Sequence, residues 1–306
     1  MGPRTREFPR LSQHLKRLRG GSQPILARAT DGLTYVIKFT NNPQGPNLPF
    51  NECMGTEIYR ACRLSVPTCR PLLVSGSFID ENRECWMETA DGPLRPAPGW
   101  CFGSCFLDQG GATVTDLLPR SSFKRVHNRK SFWLAWMLDI CAEHVDHRQA
   151  LFIDQPGGGW NAFFYDHGHL FGGPEGKSWR HYVVSQYLDP QIYPGVSSHW
   201  IHSLPNAALR LDTDLLWKRA QVLPEEWKTP SAMDALSRTL RRLSSLSLLQ
   251  AVAKTILESL QGSEKIERSE PLHGRKPPTS ILCSGLQATA SHRPFVQRFP
   301  DSRNCA

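Results

Sequence analysis

The 306-residue sequence predicts a bilobal α+β fold, a small β-rich half followed by a helical half that carries one hairpin. Three observations lead there. β-Branched and aromatic runs crowd the first hundred residues. A strongly apolar stretch, 131–143, opens a region of helical periodicity. Two short runs, 150–154 and 161–166, interrupt that region on either side of Gly157-Gly158-Gly159, as a hairpin would. The length suits one or two domains of roughly 100–200 residues each.

Taken in order, 25–29 (ILARA) and 34–39 (TYVIKF) read as strands joined through Asp31-Gly32, a hairpin signal. A Pro/Gly/Asn loop leads to a helix over 51–62, with Asn51 as N-cap and Pro67 just past the end. Strands are expected over 72–79 and 84–88, then a connector near 89–112. Helices fill much of 205–261. The longest stretch, 231–260, places Met233, Leu236, Leu240, Leu243 and Leu246 on one core-facing side. Leu11, Leu15 and Leu18 share a helical face, so 11–18 is the part of the N-terminal region expected to dock. These readings divide the chain into a basic arm (1–17), a β-rich lobe with connector (18–110), a helical lobe (111–262) and a disordered tail rich in Ser, Pro and charge (263–306).

The net charge of +8 lies at the ends. Residues 1–19 hold six basic groups against one acid, 263–306 hold seven against four, and 20–262 balance at 23 of each. A nucleic-acid-binding body would carry its basic stripe on the fold. The ends therefore read as solvated tails, and nucleic acid is not an expected partner of the folded body. No apolar run reaches the ~18–20 residues that span a bilayer, and the N-terminus has no apolar signal region. Arg6 stands where the myristoylation pattern needs Ser or Thr. A cytoplasmic protein without a membrane partner is expected. Among the nine cysteines no CxxC occurs, and Cys53, Cys62, Cys69, Cys85 and Cys141 lie in apolar stretches. They read as buried thiols of a reducing compartment.

Three positions carry candidate chemistry. Lys38 falls inside an apolar strand, where burial is costly unless it is paired, and the helix after it offers Glu52 or Glu57. A phosphate-holding lysine is positioned by such an ion pair, whereas an edge-strand lysine would need none. Asp146, in EHVDHRQALF, falls in a loop between the apolar helix and a short strand. It is placed either to accept a substrate hydroxyl's proton or to pair with Arg148 in a turn. Asp166, in FFYDHGHLFGG, ends a strand before a flexible glycine, the setting of a magnesium ligand beneath nucleotide phosphates. His167 and His169 beside it read as structural rather than as zinc ligands.

Taken together, these segments resemble the HipA-like kinase family. The resemblance covers about 18–260 and rests on Gly21-Ser22-Gln23-Pro24, YVIKF-TNNPQGP-NE, Phe102-Gly103-Ser104, LDICAEHVDHRQALF and, most specifically, YDHGHLFGG. It implies a protein-kinase-like fold and ATP- and Mg²⁺-dependent phosphoryl transfer to a protein or small-molecule hydroxyl, with an antitoxin-like regulator as a further partner. On this resemblance Gly21, Ser22 and Gln23 lie near the phosphates, Lys38 holds them, and Glu52, within its Asn-Glu pair, positions Lys38. Asp146 orients the acceptor, Asp166 binds the metal, and Gln149 is a weaker metal helper. Two departures stand out. Glu143-His144-Val145-Asp146 replaces the family's Gly-Asn-Thr-Asp, and Leu151 occupies the place where protein kinases carry a metal-binding Asn.

Overall fold

The computed structural model describes residues 8–107, 112–176 and 185–269. Strands β1 (Leu11–Arg17), β2 (Ile25–Ala29), β3 (Thr34–Phe39), β4 (Cys69–Val74) and β7 (Gly99–Cys105) make an antiparallel sheet in the order β1-β2-β3-β7-β4. Helix α1 (Leu48–Ala61) follows β3, helix α2 (Gly76–Glu81) follows β4, and a ribbon of β5 (Met87–Thr89) and β6 (Gly92–Leu94) precedes β7. The second half holds α3 (Ser131–Cys141), α4 (Ser198–Ala208), α5 (Thr213–Gln221), α6 (Pro230–Leu243) and α7 (Leu246–Ser269). Set among them is a three-stranded sheet of β8 (Val114–Thr115), β9 (Gln149–Asp154) and β10 (Trp160–Tyr165). The β-rich lobe, the helical lobe and its hairpin are as the sequence predicts.

There are two cores. Ile25, Tyr35, Ile37, Phe39, Leu72 and Val74 of the first sheet pack against Phe78 and Ile79 of α2. The larger core gathers Phe132, Trp133 and Met137 of α3 with Phe152, Phe164, Leu236 and Ile256. Helix α1 belongs to this second core, although it follows a strand of the first: Phe50, Met54, Ile58 and Tyr59 are all buried in it. Its start is tied down as well. Asn47 accepts from the Thr229 hydroxyl (2.6 Å) and donates to Ser231 (3.1 Å), at the start of α6. Trp227, fully buried, donates its indole N–H to Thr40 at 3.0 Å.

Several local expectations change. Residues 11–17 form an edge strand rather than a helix, because the open edge of β2 takes them as a partner; Leu11 is buried on the sheet while Leu15 stays exposed. The expected arm is therefore part of the sheet from Leu11 onward. The strand expected over 72–79 stops at Val74, where the Ser75 hydroxyl accepts from Phe78 N–H (3.1 Å) and caps α2. Residues 83–85 form a 3₁₀ turn, leaving only Met87–Thr89 as strand. Helix α1 begins at Leu48, with Asn47 as its N-cap residue and Pro49 in its first turn, so Asn51 lies inside it. Ser244 and Ser245 break the long helical stretch into α6 and α7. Helix α7 continues to Ser269, past the boundary expected at 262. The rest of the expected tail, residues 1–7 and the lobe boundary at 110 lie outside the described residues.

Candidate active site

Strand alternation turns Ile37 into the sheet core and Lys38 to the opposite face. There Lys38, 6% exposed, bonds Glu52 of α1 and, at 2.8 Å, Asp166 Oδ1 just past the end of β10. The second Glu52 oxygen accepts the His167 N–H at 3.0 Å. Of the two carboxylates the sequence left open, Glu52 meets Lys38, and Glu57 pairs with Arg60 and Arg219 instead. Burial alone would favour neutral lysine, but Asp166 and Glu52 outweigh it and hold the ammonium above its ordinary pKa. Burial likewise opposes ionisation of Asp166, yet Lys38 prevails and keeps it well below the usual carboxylate range. At Glu52 burial wins over Lys38 and pushes the carboxyl upward.

Helix α1 also shapes the loop that presents Asp166. Asn51, fully buried, donates through Nδ2 to the carbonyls of Gly168 (2.9 Å), Leu170 (2.9 Å) and Gly173 (3.2 Å). The helix and loop touch so closely that Gly168 has no room for a side chain. A Cβ there would lie 2.3 Å from Leu48 Cδ1 and 3.0 Å from Glu52 Oε1. Asp166 itself has φ +57°, a left-handed conformation costly for a non-glycine residue and maintained by these surroundings.

The Asp146 loop runs beside this one. Phe171 N–H donates to Ala142 O (2.6 Å), Gly172 N–H to Glu143 O (3.1 Å) and Val145 N–H to His169 O (3.0 Å). Asp146, half-buried, accepts the His147 N–H at 2.7 Å. Arg148 turns away from Asp146: it grips buried Asp139 of α3 with Nε (2.9 Å) and Nη2 (2.6 Å), and donates Nη1 to Tyr165 O (3.0 Å). Tyr59 of α1 donates its hydroxyl to the same Asp139 at 2.6 Å. One buried ion pair thus ties α1, α3 and both loops together. Glu143, φ +52°, is tied to α6 by Arg242 at 2.5 Å.

No protein-family model matches the sequence, and no curated protein matches it either. Among solved structures, the Helicobacter pylori proinflammatory kinase CtkA aligns with TM-score 0.52 at 12% identity, over 80% of this chain and 96% of that one. Hydra Fam20, solved with sugar, aligns with TM-score 0.52 at 10% identity, over 84% and 88%. The fold is protein-kinase-like. At this identity the likeness is one of fold alone.

Within the kinase-like frame, Gly21, Ser22 and Gln23 form the β1–β2 turn. Gln23 is spent on structure: its amide accepts from Glu88 N–H and donates to Glu88 O, both at 2.7 Å, tying the turn to β5. Ser22 is buried, its carbonyl accepting from Asn42 at 2.8 Å, and Gly20 and Gly21 face outward. Gln149 opens β9 opposite Tyr165, one residue short of Asp166, and Leu151 pairs with Phe163. The sequence reading missed three anchors: Asn51, taken as a cap, and the Asp139–Arg148 pair. The pair's one signal was Asp139, a charge inside an otherwise apolar helix.

Proposed function

We propose that this chain is a HipA-like kinase that transfers the γ-phosphate of ATP to a hydroxyl, with protein Ser/Thr acceptors ahead of small molecules. The observation that carries the reading is the buried Lys38 between Glu52 and Asp166. One cation and two carboxylates leave the cluster one negative charge, which favours a divalent cation. Among the described residues no cluster of three or more His, Cys, Asp or Glu could hold a metal. Mg²⁺ takes one or two carboxylates and completes its shell with substrate phosphates and water. Asp166 would hold it, with Gln149 as a neutral helper, and the bound ion would offset charge on the phosphates. Lys38 would neutralise phosphate oxygens, Glu52 would fix Lys38, and the outward main chain at Gly20–Gly21 would approach the nucleotide. Asp146 would orient the acceptor hydroxyl and take its proton. Positioning and charge supply most of the rate in such transfers.

The seven described cysteines are all free, which supports a cytoplasmic setting; an antitoxin-like regulator remains part of the proposal. A second reading, a catalytically silent nucleotide-binding module, is favoured by Leu151 at the metal-ligand position. Intact-mass analysis after incubation with ATP and Mg²⁺, alone and with cell lysate proteins, separates the two. Phosphate addition lost in Asp146→Asn supports the kinase. Nucleotide binding without any transfer by the wild type leaves the silent module.

A further inference from the structure

We infer that the cavity at the far end of α1 is a docking site for an acidic segment of the protein that accepts the phosphate. The inference rests on the kinase reading for the partner's role, but not for the binding itself. The cavity, about 280 Å³, lies where the end of α1 meets the start of α3 and one face of α4. Its floor is apolar (Cys62, Leu64, Leu134 and Leu204), and Ser131 and Ser203 add hydroxyls. Two exposed cations stand at it, Arg63 and Lys130, with no anionic partner among the described residues. Lys130 lies over the Trp200 ring, 5.8 Å from its centre.

The surroundings set the sign of the ligand. From Leu117 to Leu138 the sequence holds five basic residues and no acid. Arg120 pairs with Asp189 and Arg129 is spent on the carbonyls of 191–193, but Lys130 is not neutralised. An open, cation-bearing hollow with an aromatic platform recognises a carboxylate-rich strand: the charges select and steer, and the indole and apolar floor add contact area. The chain's own C-terminal stretch does not suit it, since residues 263–306 are net basic. Cys62 lies ten residues beyond Glu52, roughly 15 Å along the helix axis. An acidic determinant would thus be separated from the phosphorylated hydroxyl by at least about five extended residues.

The test is fluorescence anisotropy of the full chain with a labelled peptide of alternating Glu and Ser, against its Gln counterpart. Binding of the Glu peptide that weakens with salt, and falls roughly tenfold or more in both Arg63→Glu and Lys130→Glu, supports the site. Trp200→Ala, which keeps both cations, should give a smaller loss. Equal binding of the Gln peptide, or unchanged affinity in the reversed-charge variants, overturns it. So does a single-stranded oligonucleotide that binds more tightly and is lost in the same variants, or a gain in peptide affinity on removing 270–306. Binding is read without turnover: peptide capture by a wild-type chain that transfers no phosphate upholds the site and sinks the kinase reading alone.

Discussion

Asn51 and Glu52, adjacent on α1, hold one loop from two sides: Asn51 donates to its carbonyls, while Glu52 accepts its His167 N–H. Adjacent residues on a helix point about 100° apart, so the loop must wrap the helix to meet both. The Asp166 carboxylate is thereby aimed by a helix that contributes nothing to the first sheet's core.

Asn51→Leu removes one donor from three carbonyls. Leu170 O keeps the Gly173 N–H and Gly173 O keeps the Gly176 N–H, so Gly168 O is the acceptor left bare, at a cost of about 1–3 kcal/mol. With the weakened bonds to the other two carbonyls and some relaxation of the loop, a loss of about 2 kcal/mol is expected in denaturant melts. Hydrogen exchange should quicken selectively across 168–173. A uniform change over the whole chain would contradict the role assigned to Asn51.

Lys38→Met leaves Glu52 and Asp166 facing each other without a cation, a loss of about 3–5 kcal/mol. Like charges raise one carboxyl's folded pKa above its unfolded value. The folded variant then binds a proton the unfolded chain does not, so the variant's stability falls as pH rises toward neutrality. Adding Glu52→Gln should restore much of the loss at pH 7. Melts of the three proteins at two pH values check this.

His144 is 1% exposed, and neither ring nitrogen has a hydrogen-bond partner. Burial, then the Arg148 charge, keeps it neutral well below the ordinary 6.5, and burial does the same for His167. The unfolded chain takes up these protons below pH 6.5 and the folded chain does not. Stability is complete above that pH and falls on acidification, by up to about 1.4 kcal/mol per pH unit for each histidine. His144→Leu should roughly halve this slope and hold or raise the melting temperature at pH 7, since the ring makes no hydrogen bond to lose.

Asp166→Asn and Asp146→Asn should separate binding from chemistry. The first should reduce Mg²⁺-dependent ATP affinity and turnover together. The second should spare affinity and cut phosphate transfer by roughly 10²-fold or more. Calorimetry with and without Mg²⁺, beside a phosphate-transfer assay, reads both. Equal affinity loss in the two variants would contradict the roles assigned here.

The sequence disclosed the charged members of the site because each breaks a pattern: Lys38 interrupts an apolar strand, and Asp166 ends one before a glycine. Asn51 was hidden by its own chemistry, since asparagine near a helix start reads as a cap. The actual start was legible in Asn47-Leu48-Pro49, with proline in the first turn. Arg148 looked like a turn partner for Asp146 because its true partner, Asp139, lies in a helix otherwise apolar enough to pass for pure core. At Leu11, Leu15 and Leu18 the spacing suited a helix, and only the unpaired edge of β2 decides for a strand.

Helix α1 is packed into the helical lobe's core and fastened to α6 through Asn47, so it has no inexpensive displaced position. The first sheet meets this lobe through the Lys38 ion pairs, through Phe102 of β7, which is buried in the larger core, and through the Trp227–Thr40 hydrogen bond. On the proposed function, a phosphate that draws the ammonium from Glu52 would exchange one of these links for a ligand, so nucleotide capture and the seating of the sheet on α1 would draw on one free energy.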